Sequence, residues 1–325
     1  MKAIVYRGAG DASVIQGAEV PAPELKPGQV RIAVRASGVN RADLSQRRGH
    51  YPPPPGESDI PGLEAAGEVL ETGPGARIFS RGDRVMALLA GGGYAQEVCV
   101  DERLVLALPP TLSFELGAAI PEAFITAHHN LVHLGGVAAG KSALIHAGAS
   151  GVGTAAIQIV RFVKAAAFAT AGTPEKAALC EKLGASAIEY KKADFAGVVL
   201  ERTEGRGVDA ILDPVGASNL EADLRCLTTS GCVVFIGTMG GKDAQLDLGA
   251  LMRRRARLIG STLRALPLEE KAAAVARMRA QLLDALAGGT LAPVIDRVFP
   301  AGEARQAQER MEANLNAGKI VLSWR

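Results

Sequence analysis

Three glycines separate a short apolar segment from an apolar run of helical spacing. The stretch reads Leu144-Ile-His-Ala-Gly-Ala-Ser-Gly-Val-Gly-Thr-Ala-Ala-Ile-Gln158. Ala143 to Ala147 suit a buried strand, and Val152, Ala155, Ala156, Ile159, Val160 and Val163 recur as one face of a helix. Gly148, Gly151 and Gly153 fall between the two patterns, with Ser150 where a glycine is usual. Strand, glycine turn and helix together make an anion site. Glycine lets the backbone approach a pyrophosphate closely, and the helix start offers free N–H groups and its positive dipole end. Gly148, Ser150, Gly151, Val152 and Gly153 are therefore expected to bind a dinucleotide.

The end of the next strand bears on which dinucleotide. NAD sites carry an Asp or Glu there for the ribose hydroxyls. Here the segment is Thr170-Ala-Gly-Thr-Pro-Glu-Lys176, and Glu175 comes only after the turn. Thr173 and Lys176 are better placed to receive a 2′-phosphate, with Tyr190 on the following strand as a third contact. Charge-assisted hydrogen bonds contribute about 1.5–3 kcal/mol each, so two favour NADPH over NADH by roughly a hundredfold.

The rest of the chain must hold that turn. At 325 residues, 48% hydrophobic and 22% charged, it suits two well-buried domains. A net charge of +2 and 4% aromatic residues argue against nucleic acid or an acidic membrane as the main partner. Arg253-Arg-Arg-Ala-Arg257 is short and lacks aromatic company, so it reads as a solvated face or a domain-junction feature. Four scattered cysteines without a C-x-x-C pair, no signal-peptide pattern and no membrane-length apolar run suggest a cytoplasmic protein.

Up to about residue 115 the pattern is mostly β. Short strands at residues 3–6, 29–36, 62–70, 84–89 and 94–100 are punctuated by Gly and Pro, as in a barrel-like domain. Residues 52–56 are four prolines and a glycine and must be an extended loop. Residues 114–134 read as helix interrupted at Pro121. Strands are then expected near 143–147, 165–171, 186–190, 208–213, 231–237 and 258–263, with helices at 174–183, 219–227 and 268–286. Strands alternating with helices imply a parallel sheet wound both ways.

Several stretches resemble the zinc-free quinone oxidoreductases of the medium-chain dehydrogenase/reductase superfamily, and within them the tumour-suppressor-inducible branch. They are Asn40-Arg-Ala-Asp-Leu44, Pro53-Pro-Pro-Gly56, Met86-Ala-Leu-Leu89, Ala118-Ala-Ile-Pro-Glu-Ala123 and Leu144-Ile-His-Ala-Gly148 with Ser150 to Gln158. Glu181-Lys-Leu-Gly-Ala185, Met311-Glu-Ala-Asn314 and Gly318-Lys-Ile-Val-Leu322 extend the match to the end of the chain. The resemblance implies an α/β protein, a Rossmann doubly wound parallel sheet plus a GroES-like, mostly β catalytic domain. It places the catalytic domain at 1–118, the Rossmann domain at 119–262 and a returning C-terminal part at 263–325. It also implies NADPH and a homodimer.

The resemblance further implies an active site in the cleft between the domains. Tyr51 is expected to contact the quinone, Asn40 and Asp43 to line the same region, and Thr126 to lie near the nicotinamide. Gly237, Met239, Leu263 and Asn314 are expected cofactor contacts. Zinc alcohol dehydrogenases of the superfamily carry a cysteine where Asn40 stands and a histidine where Leu63 stands, so no metal is expected. His128, His129 and His133 read as packing or surface residues rather than ligands. The expected reaction is direct hydride transfer to a quinone. A 2-enoyl-thioester reductase and an NADPH-linked RNA-binding protein without turnover are the alternatives.

Overall fold

Val30, Ile32 and Val34 alternate with more exposed neighbours, and they open a strand that runs on through Gly38 as Gln29–Val39. It pairs antiparallel with Glu64–Thr72, with Glu97–Asp101 and with the C-terminal strand Lys319–Ser323. Two register shifts bend it against Glu64–Thr72. Gly67 is the residue that permits this, since a Cβ there would lie 1.9 Å from the Ala33 carbonyl oxygen. The sheet continues through Arg84–Leu88 to Val105–Ala107 on one side and through Lys319–Ser323 to Ile295–Pro300 on the other. A separate pair, Lys2–Tyr6 with Ile15–Glu19, completes the β structure. The strands at 15–19 and 105–107 escaped the sequence reading; the first carries Gly17 and polar residues instead of an apolar alternation.

The computed structural model describes residues 1–324. It comprises two units, Met1–Ile125 with Leu263–Arg325, and Thr126–Thr262. In the first, helices Arg41–Arg47 and Ala304–Glu312 cover a core of Ile4, Leu44, Tyr94, Phe299, Met311 and Ile320. The stretch at 114–134 is not one helix broken by proline. Phe114–Gly117 is a single turn, Pro121 starts the helix Pro121–His128, and His129–Leu134 is π-helical. Proline at a first helical position loses nothing, because its missing N–H has no intrahelical acceptor there.

The second unit is a parallel sheet. Its strands are β1 (Ser142–Ile145), β2 (Ala166–Ala171), β3 (Ser186–Glu189), β4 (Val208–Asp213), β5 (Leu227–Phe235) and β6 (Arg257–Gly260). The spatial order is β3-β2-β1-β4-β5-β6, the doubly wound order of a Rossmann fold. Five helices join them: α1 (Gly151–Phe162), α2 (Pro174–Lys182), α3 (Phe195–Arg202), α4 (Leu220–Cys226) and α5 (Leu248–Arg254). Leu144, Phe168, Ile188, Val199, Ile211 and Val233 form its core. The order reverses between β1 and β4, and ligands bind such sheets outside the strand ends at that switch point. The glycine turn leaves β1 there.

Candidate active site

Ser150 stands in place of a glycine because it caps α1. Its backbone is extended and its hydroxyl accepts the Gly153 amide at 3.0 Å. The Gly151 and Val152 amides begin the helix and have no acceptor within it. Gly153 is fixed by sterics: a Cβ would lie 2.4 Å from the Ala147 oxygen and 2.6 Å from the Gly148 oxygen. Gly148 is needed for packing, since its Cβ would meet Ala169 Cβ at 2.7 Å and Cys180 Sγ at 2.8 Å. Beneath the turn, buried His146 joins Asp223 Oδ1 through Nε2 at 2.8 Å and Thr170 Oγ1 through Nδ1 at 3.0 Å. These three residues tie β1, β2 and α4 together.

At the end of β2, Thr173 caps α2 and accepts the Lys176 amide at 3.3 Å. The bonds of its own amide and the Thr173 hydroxyl hold Glu175 below the usual carboxylate range. The Tyr190 ring lies against Gly172, its oxygen 3.2 Å from where a Cβ would be. Thr173, Lys176 and Tyr190 thus gather at one strand end. Past β5, a Cβ on Gly237 would lie 2.7 Å from the Pro214 oxygen, and Met239 leaves its side chain 51% exposed. Asp213 accepts the Val215 amide at 2.5 Å and the Gly216 amide at 3.0 Å, closing the neighbouring turn. Burial, then Asp223, push the Asp213 carboxyl up to about 6.

Thr126 is buried, and among the described residues its hydroxyl has no partner. Such an orphan costs about 1–3 kcal/mol unless a ligand satisfies it. With the glycine cradle, it makes this unit fit a dinucleotide. The Arg253–Arg257 stretch divides. Arg254 turns inward to the Leu227 and Arg225 carbonyls, Arg255 caps α5 in the left-handed region, and Arg257 opens β6.

The other unit holds a buried polar network that the sequence reading named only at its edge. Lys319 Nζ donates to Glu64 Oε1, to Asn40 Oδ1 at 2.7 Å and to the Val39 oxygen at 3.3 Å. Asn40 Nδ2 also donates to Glu64 Oε1, at 3.0 Å, and Glu64 Oε2 accepts the Glu122 amide at 2.8 Å. Gly38 makes room: a Cβ there would lie 2.1 Å from Glu64 Oε1. Asn40 therefore spends its amide inward. Asp43, expected to line the substrate region, is enclosed instead. It accepts the Asn40 amide at 2.7 Å, the Tyr94 hydroxyl at 2.9 Å and the Gly62 amide at 3.3 Å, and burial pushes it up to about 6. Its work is to brace the start of Arg41–Arg47.

Tyr51 is half-buried, with the Arg264 guanidinium 5.2 Å from its ring centre. Arg264 also donates to the Tyr51 oxygen at 3.0 Å, the Ala90 oxygen at 2.7 Å and Gln46 Oε1 at 2.8 Å. Tyr51 is thus a held aromatic at the foot of the proline loop. Leu263 is buried beside Arg264 in sequence, and Asn314, at positive φ, accepts from Arg41 at 2.6 Å. Both lie in this unit. Glu64, Lys319, Glu122 and Arg264 had no role in the sequence reading.

A zinc ion prefers thiolate and imidazole. The side chain of Leu63 is buried and has no donor atom, and Asn40 is engaged with Lys319 and Glu64. His128 and His129 are buried, and the His129 and His133 rings lie 5.4 Å apart. Among the described residues, no three His, Cys, Asp or Glu side chains are grouped to share a metal ion.

The chain matches the alcohol dehydrogenase GroES-like domain over residues 26–110 and the zinc-binding dehydrogenase family over residues 151–280. It is 31% identical to the human synaptic vesicle membrane protein VAT-1 homolog, over 99% of this chain and 86% of that one. It is 36% identical to the spectinabilin polyketide synthase system protein NorB of Streptomyces orinoci over 97% of its length, but spans only 14% of that protein. The Escherichia coli quinone oxidoreductase complexed with NADPH superposes with a TM-score of 0.89 at 27% identity, covering 100% of both chains. The CurK enoyl reductase superposes with a TM-score of 0.87 at 27% identity, over 99% of this chain and 98% of that one. The chain belongs to the medium-chain dehydrogenase/reductase superfamily and is an oxidoreductase of that family.

Proposed function

We propose that the protein is an NADPH-dependent quinone reductase that transfers hydride directly, without zinc. The carrying observation is the Ser150-capped glycine turn at the sheet's switch point. The absence of thiolate or imidazole at Asn40 and Leu63 supports the metal-free route, and the likeness to the Escherichia coli quinone oxidoreductase complexed with NADPH supports the coenzyme and the acceptor. NADPH, when bound, supplies the hydride. The protein binds the diphosphate on the Gly151 and Val152 amides and the ribose phosphate at Thr173, Lys176 and Tyr190. Tyr51 packs against the acceptor. A quinone needs no strong Lewis acid, because its reduced charge spreads over the ring. Placement in the tumour-suppressor-inducible branch is likewise proposed, on the sequence motifs alone.

A second reading, reduction of a 2-enoyl thioester, draws on the likeness to the CurK enoyl reductase. NADPH oxidation with a quinone series and with crotonyl thioester separates the two. Quinone turnover is expected, and turnover of the thioester alone rejects the assignment. Lys176→Ala is expected to raise KM for NADPH about tenfold or more and to leave NADH nearly unaffected. An equal rise for both coenzymes would show that Lys176 does not read the phosphate.

A homodimer is proposed on the edge strand β6, which among the described residues pairs only with β5, and on the exposed Leu248 and Met252 of α5. A cytoplasmic setting is proposed from the free cysteines, three of them buried. No helix among the described residues is long and apolar enough to cross a membrane.

A further inference from the structure

Reducing a quinone to a hydroquinone takes a hydride and a proton, and the coenzyme carries only the first. We propose that Glu122 supplies the second: it stores a proton beside the Glu64–Lys319 pair and gives it to the reduced acceptor. This rests on the reductase reading above.

The geometry leaves Glu122 as the unpaired acid of its cluster. Its backbone amide donates to Glu64 Oε2 at 2.8 Å, which brings the residue to the network. Its own carboxyl has no hydrogen-bond donor or cation within bonding reach among the described residues. The charged groups facing it are Glu64 on Glu64–Thr72, Lys319 on Lys319–Ser323, Asp43 on Arg41–Arg47, and Arg264. Lys319 is committed to Glu64 and Asn40, and Arg264 to three oxygen acceptors. A third carboxylate in the group would exceed the two cations, so the electrostatically cheap state of Glu122 is the protonated one.

Burial first, and Glu64 second, push Glu122 up to about 8. A donor whose pKa lies near the working pH is the efficient one for general acid catalysis. The residue is only half-buried, so it can recover its proton from water. Tyr51 feels the same acid: burial and then Glu122 raise its phenol, so both groups keep their protons at neutral pH. When the hydride and its electron pair reach the quinone, a hydroquinone monoanion forms. The Glu122 O–H bond breaks, an O–H bond forms on the hydroquinone oxygen, and Glu122 is left as a carboxylate that water reprotonates.

The sign of the pH dependence follows. The protonated acid is required, so kcat is expected to fall as pH rises through about 8. Glu122→Gln should lower kcat about 100-fold, leave KM for NADPH unchanged and abolish the alkaline limb. Glu122→Asp should recover part of both the rate and the limb. A readout independent of turnover is the infrared band of a protonated carboxyl, expected to titrate away near pH 8 and to be missing from Glu122→Gln. Wild-type kcat and an intact limb in Glu122→Gln, or no such band in the parent, overturns the role while leaving the reductase reading standing. No NADPH turnover with any acceptor overturns both.

Discussion

Gly153→Ala is expected to weaken NADPH binding by more than about 100-fold. The added Cβ would meet two backbone oxygens, Ala147 at 2.4 Å and Gly148 at 2.6 Å. Backbone cannot swing aside as a flexible side chain can, so the start of α1 must move. That start carries the Gly151 and Val152 amides, and Gly153 also donates to the Ser150 cap at 3.0 Å. Losing two hydrogen bonds to a charged diphosphate costs about 3–6 kcal/mol, which sets the expected factor. Titration of NADPH fluorescence gives the measurement. Gly302→Ala is the control, because nothing lies within 4 Å of its added Cβ. NADPH affinity within threefold of the parent in Gly153→Ala would mean that the diphosphate does not lie on this turn.

What could be read in the sequence was what repeats locally. Apolar runs followed by glycine turns marked β1 and β2, and Pro174 before a polar–apolar helix with Gly184 beyond it marked α2. Helices without a clean stripe were lost. In α3, Gly197 and the β-branched Val198 and Val199 weaken the helical signal, and α5 has no buried residue. The start of β5 was also missed, because Thr228, Thr229 and Ser230 look like a loop.

The site divides along the same line. The nucleotide cradle is one contiguous stretch, so spacing alone displays it. The polar network is assembled from distant pieces: Lys319 meets Glu64 across 255 positions, and Arg264 meets Gln46 across 218. No periodicity relates such residues. The available hint was local and chemical: Glu122 directly follows Pro121 within the apolar run Ala118-Ala-Ile and Ala123-Phe-Ile. Charged residues in apolar runs are seldom there for packing. Asp43 misled for a related reason. Its position matched a site motif, yet its three donors, the Asn40 and Gly62 amides and the Tyr94 hydroxyl, make it a brace.

Lys319→Met should show how far the network supports the fold. Lys319 is 3% exposed and Glu64 0%, so the substitution strands a carboxylate away from water with only the Asn40 and Glu122 donors left. Removing one partner of a buried pair costs about 3–5 kcal/mol, which for a domain of this size lowers Tm by roughly 6–20 °C. The companion Glu64→Gln, Lys319→Met double variant should regain more than half of that loss, since no unpaired charge remains buried. Asn40 would still lack its Lys319 donor in the double variant. Turnover should therefore recover less than Tm does, because the amide is no longer held in place. Equal melting temperatures for Lys319→Met and the parent would show that the Glu64–Lys319 contact contributes nothing to the fold.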